Sequence, residues 1–263
     1  MIVMNSKGYD PIERAGKVKE LVTRVISGEE LRAYFRFRGG RWYGGIATGD
    51  VIGCNLSCVF CWSWYFKDKP SLGKFLTPYE AFTRIAKIAE RRGYRFVRLS
   101  GGEPTVSRVH LIKLARLFES TRYVFILETN GLLIGYDYSY AKELANISNL
   151  VVRVSFKGTT PDEFHRLTGA APKFYELQFK ALENLVYAGF EPGKEVYPAA
   201  MIGFSPDENI VEFVKRLKAI SDEFVDVDWE YVFLYPHVER ALKKAGLKPL
   251  RAVKPNKIPK SMI

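Results

Sequence analysis

The three cysteines of the chain, Cys54, Cys58 and Cys61, lie within one run of eight residues. They are the only cysteines in the chain, and we expect them to share one metal site. Three thiolates can bind three irons of a cubane cluster, whereas a ferredoxin site supplies a fourth cysteine. The remaining iron would lack a protein ligand, and such an open position is where chemistry can take place, as at a catalytic zinc ion.

Three other interpretations of the cysteines stay open on the sequence alone. A structural disulfide is disfavoured, because the count is odd and Met1 does not open a charged-then-apolar leader. Zinc prefers four nitrogen or sulfur ligands, and the histidines, His110, His165 and His237, are all remote from the cysteines in sequence. Unreactive buried cysteines are the last alternative, although they have no need of such close spacing.

The spacing C-x3-C-x2-C, with the aromatic Phe60 just before the third cysteine, resembles the signature of the radical S-adenosylmethionine (radical SAM) superfamily. The run Ser100-Gly101-Gly102-Glu103-Pro104 resembles the superfamily's GGEP motif, which binds the methionine amino group of the cofactor. Glycines permit close approach of the backbone, although a bare Gly-Gly-Glu-Pro is also a common turn. The resemblance implies a 4Fe-4S cluster held by the three cysteines, with S-adenosylmethionine as the second cofactor. A β-branched residue at position 102 is expected to hinder cofactor binding and to leave the cluster assembled.

Apolar β-type runs alternate with helical patterns along the chain, as in a parallel sheet built from βαβ units. Strands are predicted near residues 45–52, 95–100, 122–129, 150–157, 195–203 and 226–234. Helices are predicted near residues 78–92, 107–119, 138–146, 173–189, 207–222 and 237–245, with Thr77-Pro78 and Ser205-Pro206-Asp207 as helix starts. Six repeats predict an α/β fold, a partial (βα)6 TIM-like barrel, which the superfamily resemblance also implies. The active site of such a barrel lies at the carboxyl ends of the strands.

The 263 residues, 47% of them hydrophobic, are enough for one barrel domain. We expect the radical SAM core to span residues 44–245. An N-terminal extension, residues 1–43, carries a cluster of arginines and aromatic residues that can stack on single-stranded bases or form a strand pair against the barrel. Residues 246–263 are expected to form an extended basic C-terminal tail, with five basic residues, three prolines and no acidic residue.

Alternation within the strands predicts a polar barrel interior, because successive side chains of a strand point to opposite faces. The residues expected to face the interior are Arg98, Ser100, Glu128, Asn130, Arg153, Ser155, Lys157, Asp226, Asp228 and Glu230. Those expected to pack beneath the helices are Val97, Leu99, Trp229, Tyr231 and Phe233. Buried charges are tolerated when they are paired or bound to a ligand, so a polar cofactor and substrate should occupy the interior. An internal ion-pair network, or a register shifted by one residue, would explain the same pattern without a ligand.

Two further segments narrow the resemblance. Glu128-Thr129-Asn130-Gly131 resembles a segment of small activating enzymes and of deazaguanine synthases in the superfamily. Ser155-Phe156-Lys157, with His165 and Thr168-Gly169 downstream, resembles a pattern of glycyl radical enzyme activases such as the pyruvate formate-lyase activating enzyme. That resemblance implies contacts of Ser155 and Lys157 with the ribose and carboxylate of the cofactor, although Ser155 stands where the activases have aspartate.

Two single residues are further candidates. Met201, at the end of the fifth predicted strand, is a candidate for the wall that contacts the adenine, although a strand end with a glycine commonly serves packing alone. His165 is a candidate catalytic group, but a histidine on a helix face is equally well explained by a hydrogen bond to the backbone.

These features predict a radical SAM enzyme that cleaves S-adenosylmethionine reductively and uses the resulting 5'-deoxyadenosyl radical for hydrogen abstraction. No cysteine is left for a second cluster, so an external one-electron donor, ferredoxin or flavodoxin, is expected as a partner. The leading hypothesis is an activase-like enzyme that acts on a protein partner. The alternatives are modification of tRNA or another RNA, favoured by the basic ends of the chain, and a small-molecule synthase of the deazaguanine type. A non-enzymatic iron-sulfur electron carrier belongs to another class and has no need of the cofactor motifs.

The formal net charge of +11 suits phosphate contacts, an acidic protein partner or solubility alone. No apolar run approaches the roughly 20 residues of a membrane span, and we expect a cytoplasmic monomer without membrane contact. Charged residues dominated by Lys, Arg and Glu, with Gln178 as the single glutamine, are typical of a thermophile.

We predict that anaerobic reconstitution loads about four irons and four sulfides per chain, because three thiolates at this spacing match a cubane with one open iron. The variant Cys58→Ala should lose this incorporation. Iron and sulfide assays, with the EPR spectrum of the reduced protein, measure the outcome. A colourless protein with stoichiometric zinc would contradict the prediction.

Overall fold

The computed structural model describes residues 7–259. Within that range the helices are α1 (Pro11–Val22), α2 (Pro78–Arg92), α3 (Arg108–Glu119), α4 (Leu132–Tyr136), α5 (Tyr138–Ala145), α6 (Pro161–Thr168), α7 (Glu176–Ala188), α8 (Asp207–Lys218) and α9 (Pro236–Ala245). The strands are β1 (Thr23–Ile26), β2 (Glu29–Gly40), β3 (Ile46–Val51), β4 (Lys74–Leu76), β5 (Phe96–Gly101), β6 (Val124–Thr129), β7 (Leu150–Phe156), β8 (Val196–Met201), β9 (Asp228–Glu230), β10 (Val232–Phe233) and β11 (Ala252–Val253).

Six parallel strands form the centre of the main sheet. The order across the sheet is β1-β2-β3-β5-β6-β7-β8-β9, with β4 paired to β2. The strands from β3 to β9 in this order are parallel neighbours, and helices connect each one to the next. Their carboxyl ends therefore open at one edge of the sheet. The predicted partial (βα)6 barrel is confirmed, and each of the six predicted strands overlaps one of these strands.

Helix α2 begins where the sequence predicts because its first turn carries a complete capping box. The hydroxyl of Thr77 accepts the N–H of Glu80 at 3.1 Å, and the Glu80 carboxylate accepts the N–H of Thr77 at 2.8 Å. Helix α8 also begins at the predicted position, but without a side-chain cap. The hydroxyl of Ser205 donates to the Glu163 carboxylate at 2.9 Å instead.

The residues before the parallel core extend the same sheet. Helix α1 leads into β1, which pairs antiparallel with β2, and β2 pairs antiparallel with β3. The arginine-rich aromatic cluster of the N-terminal segment thus lies largely on a strand of the sheet. Of the two interpretations left open by the sequence, the strand pair describes this segment.

A β-bulge interrupts β2 at Phe35. The register of its pairing with β3 shifts between Tyr34 and Arg36. The extra residue reverses the alternation of faces beyond it. Consequently Tyr34 and Phe37 share one face, with ring centroids 5.1 Å apart, whereas Arg36 and Arg38 lie on the other face.

The described part of the C-terminal tail is docked on the barrel, in contrast to the extended arm expected from its composition. β11 pairs in parallel with β10, and the N–H of Leu250 donates to the carbonyl of Gly203 at 2.7 Å. Arg251 donates to the carbonyl of Ser205 at 2.7 Å and forms an ion pair with Asp207. These contacts fix the tail across the loop that follows β8. Residues 260–263 of the expected tail lie outside the described residues.

The helices are short. The longest of those between residues 7 and 259 is α2, with 15 residues, whereas a membrane span needs about 20. In this part of the chain no helix combines the length and apolarity needed to cross a bilayer.

Two glycines with opposite surroundings test the packing of the helices. A Cβ added to Gly16 in α1 would meet open space, whereas one added to Gly135 in α4 would lie 1.9 Å from the carbonyl oxygen of Leu177 in α7. We predict that Gly16→Ala raises the free energy of unfolding by about 0.5–1 kcal/mol, because alanine loses less backbone entropy on folding. Gly135→Ala should lower it by about 1–3 kcal/mol, because α4 must move away from α7. Chemical denaturation measures both values, and a neutral Gly135→Ala would refute the close packing of these helices.

Candidate active site

A cavity of about 850 Å³ lies at the carboxyl ends of the parallel strands, and all three cysteines line it. Of the residues predicted to bind the cofactor, those that line the cavity are Phe60, Gly101, Gly102, Glu103, Glu128, Asn130, Ser155, Lys157 and Met201. Pro104 is buried, begins the 3-10 turn Pro104–Val106 and is not part of this lining. The fold thus brings the two sequence motifs and the polar strand faces to one site.

The thiols of the cysteine loop, residues 54–61, line the cavity. Cys58 is buried, and Cys54 and Cys61 are half-buried. The N–H of Leu56 donates to Sγ of Cys54 at 3.4 Å, a contact that favours a thiolate. Burial raises the pKa of all three thiols, to about 12 for Cys58, where the positive charge of Lys157 acts in the opposite direction.

The three thiols fit an iron-sulfur cluster by their number and kind, because each thiolate can bind its own iron of a cubane. Within residues 7–259, no group of three or more His, Cys, Asp or Glu side chains is arranged to hold a single metal ion. A bound cluster would also supply the positive charge that keeps buried thiols ionised. The donor set and its surroundings therefore suit the cluster that the sequence implies.

The glycine loop, residues 100–104, packs directly against the backbone of residues 51–53, which precede the cysteine loop. The N–H of Gly102 donates to the carbonyl of Val51, and the N–H of Glu103 donates to the carbonyl of Gly53, both at 2.8 Å. A Cβ on Gly102 would lie 2.2 Å from the carbonyl oxygen of Gly53. The expectation that a larger residue at position 102 leaves the cluster assembled is therefore revised, because that residue would displace the segment just before Cys54.

Glu103 is 3% exposed, and its carboxylate accepts four hydrogen bonds from the protein. Oε1 accepts from the N–H and the hydroxyl of Thr105, at 3.1 and 2.7 Å, and from the hydroxyl of Thr129 at 2.7 Å. Oε2 accepts the N–H of Asn130 at 2.8 Å. The side-chain amide of Asn130 then donates to Asn55 in the cysteine loop at 2.8 Å. Glu103 thus joins two strand ends to the cysteine loop, and Oε2 keeps capacity to accept a further hydrogen bond.

Polar side chains of β7 form one network with the acids of β9. Arg153 donates to Asp228 and to Glu230, each at 2.7 Å. The hydroxyl of Ser155 donates to Glu230 at 2.9 Å, and the Lys157 ammonium lies 3.6 Å from the same carboxylate. Although burial opposes it, the positive charges of Lys157 and Arg153 lower the pKa of Glu230 to about 2. The internal ion-pair network left open by the sequence is present, and it lines the cavity.

Glu128 at the end of β6 belongs to a second charged group. Its Oε1 accepts from the guanidinium of Arg98 and, at 3.0 Å, from the hydroxyl of Tyr43. Although burial opposes it, the positive charges of Arg98 and Arg153 lower the pKa of the Glu128 carboxyl. Tyr43 has a φ of +58°, a left-handed conformation that is uncommon for a non-glycine residue and recurs at functional sites.

Several predicted side-chain directions near the last parallel strand are wrong. Asp226 is exposed and precedes β9. Phe233 lines the cavity rather than packing beneath a helix, and its ring centroid lies 5.9 Å from that of Trp42. Trp229 and Tyr231 contact the core but also line the cavity. The reason is that β9 ends at Glu230 and β10 belongs to a separate sheet. Residues 226–234 therefore do not form one continuous strand, and their side chains do not alternate regularly between two faces.

The two single-residue candidates have different surroundings. Met201 lies in the cavity wall, in an apolar cluster with Phe60 and Phe204, whose ring centroids are 6.3 Å apart. His165 is not part of the cavity lining. Its Nδ1 lies 2.8 Å from the carbonyl oxygen of Ala170, so a backbone hydrogen bond accounts for this histidine.

Sequence reasoning missed a group of cavity residues outside the superfamily motifs. These residues are Arg36, Arg38, Trp42, Trp62, Tyr197, Tyr235 and His237. The bulge in β2 turns the two arginines toward the cavity, and an alternation pattern does not predict it, because the bulge depends on pairing with β3. The density of arginine and aromatic residues in the N-terminal segment is the signal that points to this group.

Comparison with known proteins bears on the whole site. The family model described as the radical SAM superfamily matches residues 51–223. A relative from Methanosarcina acetivorans, named "Probable GTP 3',8-cyclase", is 31% identical over 198 residues, which cover 74% of this chain and 52% of the relative. The chain spans about half of the length of most of the curated relatives that it matches, from 43% to 64%.

Solved structures share the fold at low sequence identity. SuiB from Streptococcus suis bound to S-adenosylmethionine has a TM-score of 0.55 at 18% identity, over 77% of this chain and 48% of that chain. Spore photoproduct lyase complexed with dinucleoside spore photoproduct has a TM-score of 0.56 at 10% identity, over 80% of this chain and 63% of that chain. At these identities the likeness establishes the fold alone.

We predict that Gly102→Ala lowers the iron content after reconstitution by about half or more, because the new methyl group displaces the backbone of Gly53 beside Cys54. The control is Gly16→Ala, which adds the same methyl group in open space. Iron assays and the effect of S-adenosylmethionine on the EPR spectrum of the reduced protein are the measurements. If Gly102→Ala kept its full iron content and lost only the effect of S-adenosylmethionine on the EPR spectrum, this prediction would be contradicted. The original expectation, that a larger residue at position 102 leaves the cluster assembled, would then hold.

Proposed function

The chain belongs to the radical SAM superfamily, and we propose that it is an enzyme that cleaves S-adenosylmethionine and abstracts a hydrogen atom from a small molecule. Members of this superfamily use a 4Fe-4S cluster and S-adenosylmethionine. The observation that carries the proposal is that one cavity is lined by three thiols, the glycine loop and charged side chains. A simple electron carrier would have no need of such a cavity beside its cluster.

The protein's own residues would hold and surround the two cofactors. Cys54, Cys58 and Cys61 would ligate the cluster. The chemistry that the bound cofactors would supply is one-electron reductive cleavage of S-adenosylmethionine, followed by hydrogen abstraction from the substrate. An external one-electron donor, ferredoxin or flavodoxin, would supply the electron. The cavity walls would exclude water and oxygen and orient the substrate.

Three groups of side chains are suited to bind S-adenosylmethionine. Oε2 of Glu103 can accept a hydrogen bond from its amino group, next to the backbone of the glycine loop. Ser155 and Lys157 can bind the ribose and the carboxylate, because Lys157 brings a cation and Ser155 a hydroxyl to the cavity. Met201 and Phe60 offer an apolar surface for the adenine.

The names of the curated relatives support a small-molecule substrate over the protein partner first expected. They are named "Probable GTP 3',8-cyclase", and GTP is a small molecule. The activase and RNA alternatives rest on sequence patterns alone.

We predict that the reconstituted protein forms 5'-deoxyadenosine with dithionite even without substrate. Lys157→Ala should lower the rate at limiting S-adenosylmethionine by about tenfold or more, because a hydrogen bond to a charged group contributes about 1.5–3 kcal/mol. The matched control is Lys180→Ala, which removes an exposed lysine paired with Glu183 on α7. Chromatographic quantification of 5'-deoxyadenosine checks the prediction. Equal rates for the two variants would remove Lys157 from the cofactor site, and no product from the wild type would contradict the proposed function.

A further inference from the structure

Two arginines, Arg36 and Arg38, lie side by side in the cavity lining and share one buried acid, Asp50. Nε of Arg36 donates to Oδ2 of Asp50 at 2.7 Å. Arg38 donates through Nε to Oδ2 at 2.8 Å and through Nη2 to Oδ1 at 3.2 Å. Arg38 already binds both oxygens of the Asp50 carboxylate. Asp50 therefore keeps a charged partner when Arg36 is removed.

Arg36 and Arg38 have fewer acidic partners per cation than the other cations that line the cavity. Elsewhere in the described lining the pairs are Arg98 with Glu128, Arg153 with Asp228 and Glu230, and Lys157 with Glu230. Three cations therefore meet three acids there, whereas two cations meet one acid at Arg36 and Arg38. A net positive charge is localised at this pair.

Arg36 also has donors to spare. A guanidinium carries five N–H donors in a planar fork. Within residues 7–259, Arg36 uses one of them on Asp50, and its two terminal amino groups have no hydrogen-bond partner. Its side chain is 45% exposed, so a ligand can reach these groups. Such a fork matches the two oxygens of a carboxylate or phosphate with parallel hydrogen bonds.

Planar apolar surfaces border the two arginines. Trp62, directly after Cys61, is near both, with its ring centroid 5.7 Å from the guanidinium carbon of Arg36 and 5.6 Å from that of Arg38. Trp42 and Phe233 form a second aromatic pair in the same cavity, with an interplanar angle of 78°. The positive charge thus lies beside Trp62, which follows the cysteine loop. Trp42 is close to Arg38, because a Cβ added to Gly40 would lie 3.5 Å from Nη1 of Arg38 and 3.6 Å from Cδ1 of Trp42.

We propose that Arg36 and Arg38 bind an anionic group of the substrate, and that the substrate is a small organic anion whose planar ring packs against Trp42 and Phe233. This inference rests on the proposed function, because it names the substrate class of the same cavity. Guanidinium groups with free donors stabilise phosphate or carboxylate, and neighbouring aromatic side chains stabilise a ring by stacking or edge contact.

The test measures binding to the reconstituted protein by isothermal titration calorimetry, without reductant or S-adenosylmethionine. The probes are inorganic phosphate, phenyl phosphate and benzoate. Arg36→Gln is the main variant, because Arg38 still binds Asp50 and the buried acid keeps its partner. Arg36→Lys keeps the charge and loses the fork. Arg116→Gln, at an exposed position of α3 outside the cavity lining, removes the same charge elsewhere.

We expect Arg36→Gln to raise the Kd of the anionic probes by about tenfold or more, because it removes charge-assisted hydrogen bonds, and Arg36→Lys to raise it less, because it keeps the charge. Arg116→Gln should bind them as the wild type does. The wild type should prefer phenyl phosphate to inorganic phosphate by up to about tenfold, and Trp42→Ala should remove this preference. Tighter binding of phenyl phosphate than of benzoate would identify a phosphate as the anionic group of the substrate, and tighter binding of benzoate would identify a carboxylate. Either result supports the subsite. Equal affinities in the wild type and Arg36→Gln, or equal losses in Arg36→Gln and Arg116→Gln, would overturn it.

These titrations are independent of S-adenosylmethionine cleavage. Binding that depends on Arg36, in a protein that forms no 5'-deoxyadenosine, would support the anion subsite and reject the proposed function. Formation of 5'-deoxyadenosine without anion binding that depends on Arg36 would support the proposed function and reject the subsite.

Discussion

The buried carboxylate of Glu103 is the interaction on which the geometry of the site depends. It accepts hydrogen bonds from Thr105, Thr129 and Asn130, and Asn130 continues the set to Asn55 in the cysteine loop. A buried carboxylate is costly unless its oxygens are satisfied. The hydrogen bonds therefore fix the ends of β5 and β6 relative to the cysteine loop. Both cofactors would bind against these three segments.

The backbone enforces the same arrangement by close packing. Gly102 leaves no room for a side chain against Gly53, and the chain of the glycine loop bonds to the carbonyls of Val51 and Gly53. The two motifs, remote in sequence, thus form one structural unit. A substitution in either motif is expected to affect both the cluster and the second cofactor, so that the two kinds of binding are coupled through the backbone.

Charges in the cavity fall into two classes with different consequences. Arg98, Arg153 and Lys157 are neutralised by neighbouring acids, which reduces the cost of burying them and keeps them oriented. Arg36 and Arg38 share one acid and retain free donors. The alternation of strands β5 to β7 predicts the first class, because each strand runs without interruption from one end to the other. The second class lies beyond a bulge, where the same reasoning fails.

The class of chemistry and the succession of parallel strands could be predicted from the sequence, because cysteine spacing, a glycine motif and strand periodicity are local patterns. The side chains that complete the cavity could not, because they are brought there by tertiary contacts. The bulge at Phe35, the break before Phe233 and the docking of Arg251 all depend on pairing with segments remote in sequence. Strand register is set by packing across the sheet rather than by local propensity, and a shift of one residue exchanges the faces on which Arg36 and Tyr34 lie.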